Sequence, residues 1–171
     1  PGAENKIQFW NNILHKEKSS AEVEALKSVS LSLNDEQKKR YISSYCMIDH
    51  PDQFDSNFFN YPPVEAALMD PQSRMFHETV WKALEDANMT NDLDKKVIGL
   101  FAGGSDNPYW KGYTLMNQNK NDIDSFSALQ LGDIKFLNSL ISYKLNLKGP
   151  VVYVDTACST KIGNIDVVRE A

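Results

Sequence analysis

The sequence predicts an α/β layered fold. Two short runs rich in β-branched and small apolar residues, Val97–Ala102 and Val151–Val154, read as strands, and helical stretches precede and separate them. Strands that alternate with helices are typical of layered α/β folds. The chain has 171 residues, of which 42% are hydrophobic, so it is long and apolar enough to fold around a core of its own.

Composition and charge narrow the function classes. The net charge is −5 without a Lys/Arg block, which favours neither a nucleic-acid nor a membrane partner. No apolar stretch approaches a membrane span, and Pro1–Lys6 lacks the apolar core of a secretion signal. The two cysteines, Cys46 and Cys158, are far apart and form no metal-ligand spacing with histidine. We expect a cytoplasmic protein without a metal.

The first third of the chain predicts one short helix and a polar stretch. Residues 7–14 place three apolar side chains on one helical face: Ile7, Trp10 and Leu14. Residues 15–40 are polar, with Asn34-Asp35 as a turn or cap signal. The run Lys38–Arg40 is interpreted as a solvated face.

Residues 46–70 alternate aromatic and acidic side chains, namely Asp52, Phe54, Asp55, Phe58, Phe59 and Tyr61. We interpret this segment as an ordered loop with short helical turns whose aromatic rings enter the core. A base-stacking surface is the alternative, but interleaved carboxylates oppose the phosphate binding that such a surface needs. Pro62-Pro63 argues against a regular helix at that point.

Asp70-Pro71 opens the clearest predicted helix, because Asp70 can cap it and Pro71 suits its first position. The helix is expected to end near Asn88. Its apolar stripe consists of Phe76, Val80, Ala83, Leu84 and Ala87. His77 lies off this stripe, so we expect a surface or partly buried histidine and not a catalytic one.

The second half contains the predicted strands. Gly103-Gly104 follows the strand Val97–Ala102, and a tight turn with unusual backbone angles is favoured over a phosphate-binding loop. Residues 105–132 are expected to be a long loop with helical pieces that covers a binding site or interface. Asp133–Leu145 predicts a helix, and Lys148–Pro150 ends it before the last strand. The apolar side of that helix carries Phe136, Leu140 and Ile141.

Cys158 is the most informative residue, because it follows the strand Val151–Val154 in a run of small residues. A thiol placed after a strand, where a helix can begin, lies near unpaired backbone N–H groups and the positive end of a helix dipole. That setting favours the thiolate, which is the nucleophile. The local pattern is equally compatible with a buried structural cysteine.

The segment Ile141–Pro150 followed by Val154–Thr160 closely resembles the active-site segment of β-ketoacyl synthases, above all the ketosynthase domains of modular polyketide synthases. Further stretches resemble the same family in the same order: Pro1–Ala3 with Phe9-Trp10, Phe54–Phe59, Glu65–Arg74, Trp81–Ala87 and Val97–Gly103. The sequence of Ser142–Pro150 is most similar to the corresponding segment of synthases whose acyltransferase is a separate protein.

The resemblance implies a thiolase-like fold, of which this chain would be the N-terminal half without its first strand. It implies a homodimer in which the strand Val151–Val154 pairs with its twin. It gives Cys158 the role of accepting an acyl chain from the phosphopantetheine arm of an acyl carrier protein and passing it to a decarboxylating malonyl extender. No cofactor bound by the chain itself is implied, and backbone N–H groups near the cysteine would stabilise the oxyanion.

The chain departs from the family pattern after the cysteine. The family uses two histidines located beyond it, whereas His15, His50 and His77 all precede Cys158. Lys161 is too close to the cysteine to be the family's downstream lysine. We therefore expect the isolated chain not to perform condensation. The alternative is a non-condensing ketosynthase remnant that serves as a structural or carrier-docking module, and an unrelated cysteine hydrolase ranks below both.

These expectations divide the chain into a ketosynthase segment, 1–160, and a tail, 161–171. In the tail, Ile162–Asp166 is similar to a later ketosynthase segment, with Asn164 in the place of a catalytic histidine; a divergent nucleophile helix or an artificial chain end are the other interpretations. We also expect marginal stability of the chain alone, because the apolar side of the helix ending at Leu145 would be exposed.

Overall fold

The structure is a computed structural model that describes residues 2–16, 21–22, 33–41, 44–45 and 50–157. The chain divides into two compact units, Pro1–Pro51 and Asp52–Ala171.

The first unit contains helix α1, Lys6–Leu14, which confirms the helix predicted over residues 7–14. It begins there because the side chain of Asn5 accepts a hydrogen bond of 2.9 Å from the backbone N–H of Gln8. Its apolar side chains, Ile7 and Trp10 among them, are exposed. Local capping, and not burial, therefore accounts for this helix.

Helix α2 spans Asp35–Arg40 and follows the predicted cap at Asn34. Asn34 and Gln37 form a capping box, in which each side chain accepts from the other's backbone N–H. The basic run Lys38–Arg40 is exposed, as predicted. The unit also contains two short antiparallel strands, β1 (Ala21–Glu22) and β2 (Ser44–Tyr45), with Ala21 opposite Tyr45.

The described part of the second unit contains five α-helices and two strands, and the predicted order of helix, strand, helix and strand is present among them. The α-helices are α3 (Pro63–Leu68), α4 (Pro71–Asp86), α5 (Pro108–Asn117), α6 (Ser125–Gly132) and α7 (Leu137–Leu145). Short 3₁₀ helices span Leu93–Lys95, Gln118–Asn121 and Ile134–Phe136. The strands are β3 (Leu100–Ala102) and β4 (Val151–Tyr153).

Strands β3 and β4 form a parallel pair, in which Leu100 faces Val151 and Ala102 faces Tyr153. We refer to β3 and β4 together as the strand pair. Helix α7 contacts both of its strands, as a crossover helix does when it links parallel strands. The α/β class is confirmed, and both predicted strands exist in shorter form.

Residues 105–132, expected to be a long loop with helical pieces, are mostly helical, and the sequence did not predict α5 and α6 as separate helices. Asn107 and Asp124 cap them: the Asn107 side chain accepts from the backbone N–H of Trp110, and Asp124 accepts from those of Phe126 and Ser127. The two helices pack closely. A Cβ on Gly132 would lie only 3.0 Å from the side chain of Thr114. The prediction of a loop over 46–70 also misses α3, which begins at Pro63, a position that proline tolerates.

Helix α4 starts as predicted, since the Asp70 side chain accepts a hydrogen bond of 2.7 Å from the backbone N–H of Gln72. Its buried face differs from the predicted stripe. Ala83 and Ala87 are exposed, because the helix turns a different side to the core. The buried residues of α4 are Ser73, Arg74, His77 and Leu84.

Helix α7 buries the centre of the apolar side that we expected to be exposed. Ile141 is fully buried, while Phe136 and Leu140 are half-buried. The helix proper begins at Leu137, after the 3₁₀ turn, and its buried residues are Leu137, Asn138, Ile141, Ser142 and Leu145. The core of the unit also includes Leu68, Met69, Leu131 and Ile134.

Gly103-Gly104 does not form the predicted turn with unusual backbone angles. Among the described glycines only Gly2 has a positive φ. Gly104 is required for a different reason: a Cβ there would lie 2.8 Å from Cγ1 of the buried Ile134. The glycine thus permits a close approach of backbone to core, and the alternative prediction of a phosphate-binding loop gains no support from it.

Candidate functional site

The candidate site lies at the carboxyl end of the strand pair. Because β3 and β4 are parallel, the residues after them, Gly103-Gly104 and Asp155–Ala157, leave the sheet at the same edge. Ligands of open α/β sheets bind at this edge. Cys158 is the next residue along the chain and lies outside the described residues.

Hydrogen bonds at both ends fix the position of β4. The backbone N–H of Leu100 donates to the Pro150 carbonyl over 2.8 Å, and that of Val154 donates to the Ala102 carbonyl over 3.0 Å. Before β4, the Gly149 N–H donates to the Ile98 carbonyl over 3.0 Å, and a Cβ on Gly149 would overlap the backbone of Ile98. These contacts fix the backbone of β4, which leads toward Cys158.

Asn138 connects helix α7 to the strand pair. Its side chain is 1% exposed, and its amide Nδ2 donates to the carbonyl of Ala102 over 3.0 Å and to that of Val152 over 2.5 Å. We call this arrangement the strand clamp. Its Oδ1 is buried without a hydrogen-bond partner among the described residues.

Tyr153 links the two segments that follow the strands. Its hydroxyl donates to the Gly104 carbonyl over 2.8 Å and accepts from the Gly104 N–H over 3.4 Å. Burial raises the pKa of the phenol, and the carboxylates of Asp155, Asp133 and Asp106 raise it further, while the Gly104 N–H opposes them. The hydroxyl therefore stays protonated and holds the Gly104 backbone beside the end of β4.

The charges near this edge are mostly negative. The Lys111 ammonium lies 2.5 Å from an Asp106 oxygen and 3.1 Å from an Asp133 oxygen, and the hydrogen bond to Asp106 is the main cause that raises the pKa of Lys111. Its positive charge is thus already shared by two carboxylates. This environment does not favour binding of a multiply charged phosphate.

The last described residue turns the chain sharply. Ala157 has a φ of 52°, a left-handed conformation that costs a residue with a Cβ about 1–2 kcal/mol. The Asp155 carboxylate accepts from the Ala157 N–H over 3.2 Å, in the manner of an Asx turn. Cys158 follows a strained turn, as functional residues often do.

His77 is fully buried, so our expectation of a surface or partly buried residue is wrong. Its Nδ1 lies 2.7 Å from the Ser73 carbonyl and must donate to it, so Nε2 accepts from the Tyr61 hydroxyl over 3.1 Å. The rings of Phe54 and Phe59 pack edge-on against the imidazole. We call Phe54, Phe59, Tyr61 and His77 the histidine cluster.

Burial is the main cause that lowers the pKa of His77 to about 4, and the positive charge of Lys144 contributes, while the Ser73 carbonyl opposes it. The imidazole is therefore neutral near pH 7. Both of its nitrogens are engaged, which leaves it no proton to exchange with a substrate. His15 and His50 are exposed, and His77 takes no part in the strand clamp.

A cavity of about 410 Å³ opens between α3, α6 and α7. Leu131, Phe136 and Leu140 contribute its apolar part, and Glu65 and Lys144 its charged part. The Lys144 ammonium donates to the Asn60 carbonyl over 2.6 Å and lies 3.9 Å from the centre of the Tyr61 ring. The half-buried part of the predicted apolar face thus lines a concavity.

The described residues also limit the possible membrane and metal sites. No helix among them is long and apolar enough to cross a membrane. No group of three or more His, Cys, Asp or Glu side chains within these ranges is arranged to hold a metal ion.

A family model described as "Beta-ketoacyl synthase, N-terminal domain" matches residues 1–170. The chain therefore belongs to the β-ketoacyl synthase family. It is 34% identical over 177 residues to polyketide synthase PksL of Bacillus subtilis, with 100% of this chain and 4% of that protein covered. It is 35% identical over 170 residues to orsellinic acid synthase armB of Armillaria mellea, with 95% of this chain and 7% of that protein covered.

Solved structures agree. The ketosynthase from module 6 of the bacillaene synthase of Bacillus subtilis 168 superposes with a TM-score of 0.75 at 33% identity, over 100% of this chain and 27% of that one. The oxazolomycin ketosynthase domain OzmH KS7 of Streptomyces albus JA3453 gives a TM-score of 0.73 at 26% identity, over 99% of this chain and 31% of that one. The predicted ketosynthase identity and thiolase-like fold are confirmed, and the chain spans less than a third of these neighbours.

The sequence identified the strand and the turn that lead to Cys158 but missed their supports. Asn138 is an amide on a mostly apolar helix face, and a buried polar residue in such a position is a sequence signal for a hydrogen-bonding role. Tyr153 lies within the predicted strand, yet its hydrogen bonds to Gly104 could not be inferred from a pattern of apolar residues.

Proposed function

We propose that this chain is a segment of a polyketide ketosynthase in which Cys158 accepts an acyl chain from an acyl carrier protein. The observation that carries the proposal is the family match over residues 1–170, together with a parallel strand pair whose second strand leads directly to Cys158. The phosphopantetheine arm of the carrier delivers the substrate, and the chain itself needs no bound cofactor.

The proposed chemistry is thioester exchange. The Cys158 thiolate attacks the carbonyl carbon of the acyl-pantetheine thioester, a new C–S bond forms, and the pantetheine thiolate leaves and takes up the proton that Cys158 lost. In the second reaction, loss of CO₂ from a malonyl thioester leaves a carbanion that attacks the acyl-cysteine carbonyl. The C–C bond forms and the Cys158 thiolate is released.

Two features support the proposed homodimer through residues 151–154. Among the described residues, β4 pairs with β3 alone and is an edge strand of that sheet, and Val151 at its start is partly exposed. A second β4 could therefore add to this edge as an extra strand. We further propose residues 1–160 as the ketosynthase segment with 161–171 as its tail, a separate acyltransferase, and a cytoplasmic location.

We propose that the isolated 171-residue chain accepts an acyl group but does not condense it. Condensation in the family uses two histidines after the cysteine, and in this sequence the three histidines precede Cys158. His77 does not replace them, because its imidazole is neutral, fully buried and engaged at both nitrogens.

Intact-mass analysis after incubation with a short acyl-pantetheine thioester tests this function. The proposal expects one acyl adduct on the wild-type chain, none on Cys158→Ala, and one on the matched control Cys46→Ala. No adduct on a folded wild-type chain would contradict it. A C–C bonded product from the isolated chain with malonyl-pantetheine would contradict the lack of condensation.

The second candidate function is a non-condensing remnant that binds a carrier protein. The cavity between α3, α6 and α7, with its apolar part and its charged Glu65 and Lys144, is the feature that favours it. A carrier domain that binds with the same affinity to Cys158→Ala as to the wild type, without acyl transfer to either, would favour the remnant.

A further inference from the structure

Asn138 is an unusual residue for its position. It lies on the buried side of α7, among Leu137, Ile141 and Leu145, and is 1% exposed. Burial of an amide costs free energy unless its polar atoms find partners. Here the Nδ2 group has two partners, whereas Oδ1 has none among the described residues.

The orientation of the amide is fixed by its neighbours. Nδ2 faces two carbonyl oxygens, those of Ala102 and Val152, and a flipped amide would point an oxygen at both of them. The unpartnered atom is therefore the acceptor Oδ1. In this orientation Nδ2 donates to both strands, and the buried Oδ1 is left without a described partner.

The Ala102 carbonyl does not depend on Asn138 for a hydrogen bond. The Ala102 carbonyl already accepts from the Val154 N–H over 3.0 Å, so Asn138 adds a second donor to a carbonyl that has one. An apolar side chain of similar size would avoid the desolvation penalty. The gain from asparagine is geometric, because it ties the last residue of β3 and the middle of β4 to one rigid helix.

The hydrogen bonds of Asn138 hold the stretch of chain that lies just before Cys158. Val152 lies six residues before Cys158, and Val154, whose N–H shares the Ala102 carbonyl with Asn138, lies four residues before it. We infer that Asn138 is a positioning residue for Cys158, which fixes the end of β4 from which the chain turns toward the thiol. The inference rests on the proposed function, in which Cys158 is a presented nucleophile.

The test measures how fast iodoacetamide alkylates each cysteine between pH 5 and 10, by peptide mass analysis of the protein in its full natural length. Asn138→Leu removes both donors and the unpartnered acceptor and keeps the branching of the side chain, at a somewhat larger volume. Ser142→Ala, one turn along the same buried face of α7, is the matched control. Cys46 in the same chain is the internal reference, and thermal unfolding is recorded in parallel.

We expect the midpoint for Cys158 in the wild type to lie below the ordinary thiol value of about 8.5. In Asn138→Leu it should move up by about 0.5 pH unit or more, which is about a threefold change in thiolate fraction near neutral pH. Ser142→Ala and the Cys46 profile should not move. A folded Asn138→Leu protein with the wild-type Cys158 profile would overturn the inference, as would a Ser142→Ala profile that shifts equally.

If Asn138→Leu lacks a cooperative unfolding transition, Asn138→Ser decides, because a hydroxyl has one donor and cannot replace both N–H groups, while the smaller side chain adds no bulk. A Cys158 profile shifted in the same direction supports the inference, and an unshifted one overturns it. Loss of folding in both variants also overturns it, since Asn138 would then be a structural residue alone. Alkylation needs no acyl group, so a wild-type thiol that alkylates normally but accepts no acyl chain contradicts the proposed function and not this inference.

Discussion

The histidine cluster and the strand clamp each bury one polar side chain, but the two side chains are used in opposite ways. His77 has partners for both ring nitrogens and is surrounded by aromatic rings. The Nδ2 group of Asn138 donates to two backbone carbonyls of the strand pair, and its Oδ1 has no partner among the described residues. The partners of His77 belong to the core around it, whereas the donors of Asn138 tie helix α7 to the backbone of both strands. We therefore expect changes near His77 to alter stability alone, and changes at the strand pair to alter the reactivity of Cys158 as well.

The largest effect should come from Gly149→Ala, at the entrance to β4. The new Cβ would overlap the Ile98 backbone, which cannot move aside like a flexible side chain, so we expect a loss of about 3 kcal/mol or more in the free energy of unfolding. Chemical denaturation of the two proteins measures it. The control is Gly112→Ala, inside α5, where the new Cβ would meet nothing within 4 Å. This change should raise the free energy of unfolding by up to about 1 kcal/mol, because alanine favours a helix more than glycine does. Equal stability of Gly149→Ala and wild type would show that β4 is not fixed as described.

The second effect is a pH dependence that belongs to the histidine cluster. The folded-state pKa of His77 is about 4, below the unfolded value of about 6.5, so the unfolded chain binds more protons between these values. Stability should therefore fall as pH falls from about 6.5 to about 4, by up to about 3 kcal/mol. Unfolding at several pH values should give this slope for the wild type and for His15→Gln, an exposed histidine. A wild-type slope retained in His77→Gln would contradict the assignment.

A smaller effect should follow from Tyr61→Phe. The change removes the hydroxyl that donates to Nε2 of His77 and leaves that nitrogen buried without its partner, at a cost of about 1–2 kcal/mol. Tyr153→Phe is the matched change at the strand pair, since it removes the bond to the Gly104 carbonyl. Denaturation should show the loss for Tyr61→Phe, while Cys158 alkylation should change for Tyr153→Phe alone. A change of Cys158 reactivity in Tyr61→Phe would remove the distinction between the two regions.

The sequence predicted those elements whose signals are local. Asn34 and Asp70 cap helices where the pattern placed them, and the β-branched run after Pro150 forms β4. Helices α5 and α6 were missed because Asn107 and Asp124, which cap them, resemble loop residues when read alone. The burial of Ile141 was missed because it depends on packing against elements distant in sequence.

The candidate site follows the same division. Cys158 was identified from its own neighbourhood and from its resemblance to ketosynthases, and its role remains a prediction because the residue lies outside the described ranges. Asn138 and Tyr153 act through Val152, Ala102 and Gly104, which are 14 to 49 residues away in sequence. Contacts over such separations carry no periodic signal, so one sequence does not reveal them.

The most direct test of the central claim is to locate the acyl group after the protein has reacted with a short acyl-pantetheine thioester. Proteolytic peptides of the wild type and of His77→Gln would be sequenced by tandem mass spectrometry. The account predicts the acyl group on Cys158 in both proteins, because the histidine cluster stabilises the fold without taking part in the reaction. An acyl group on Cys46 or on Ser159, or its loss from a folded His77→Gln protein, would contradict the account.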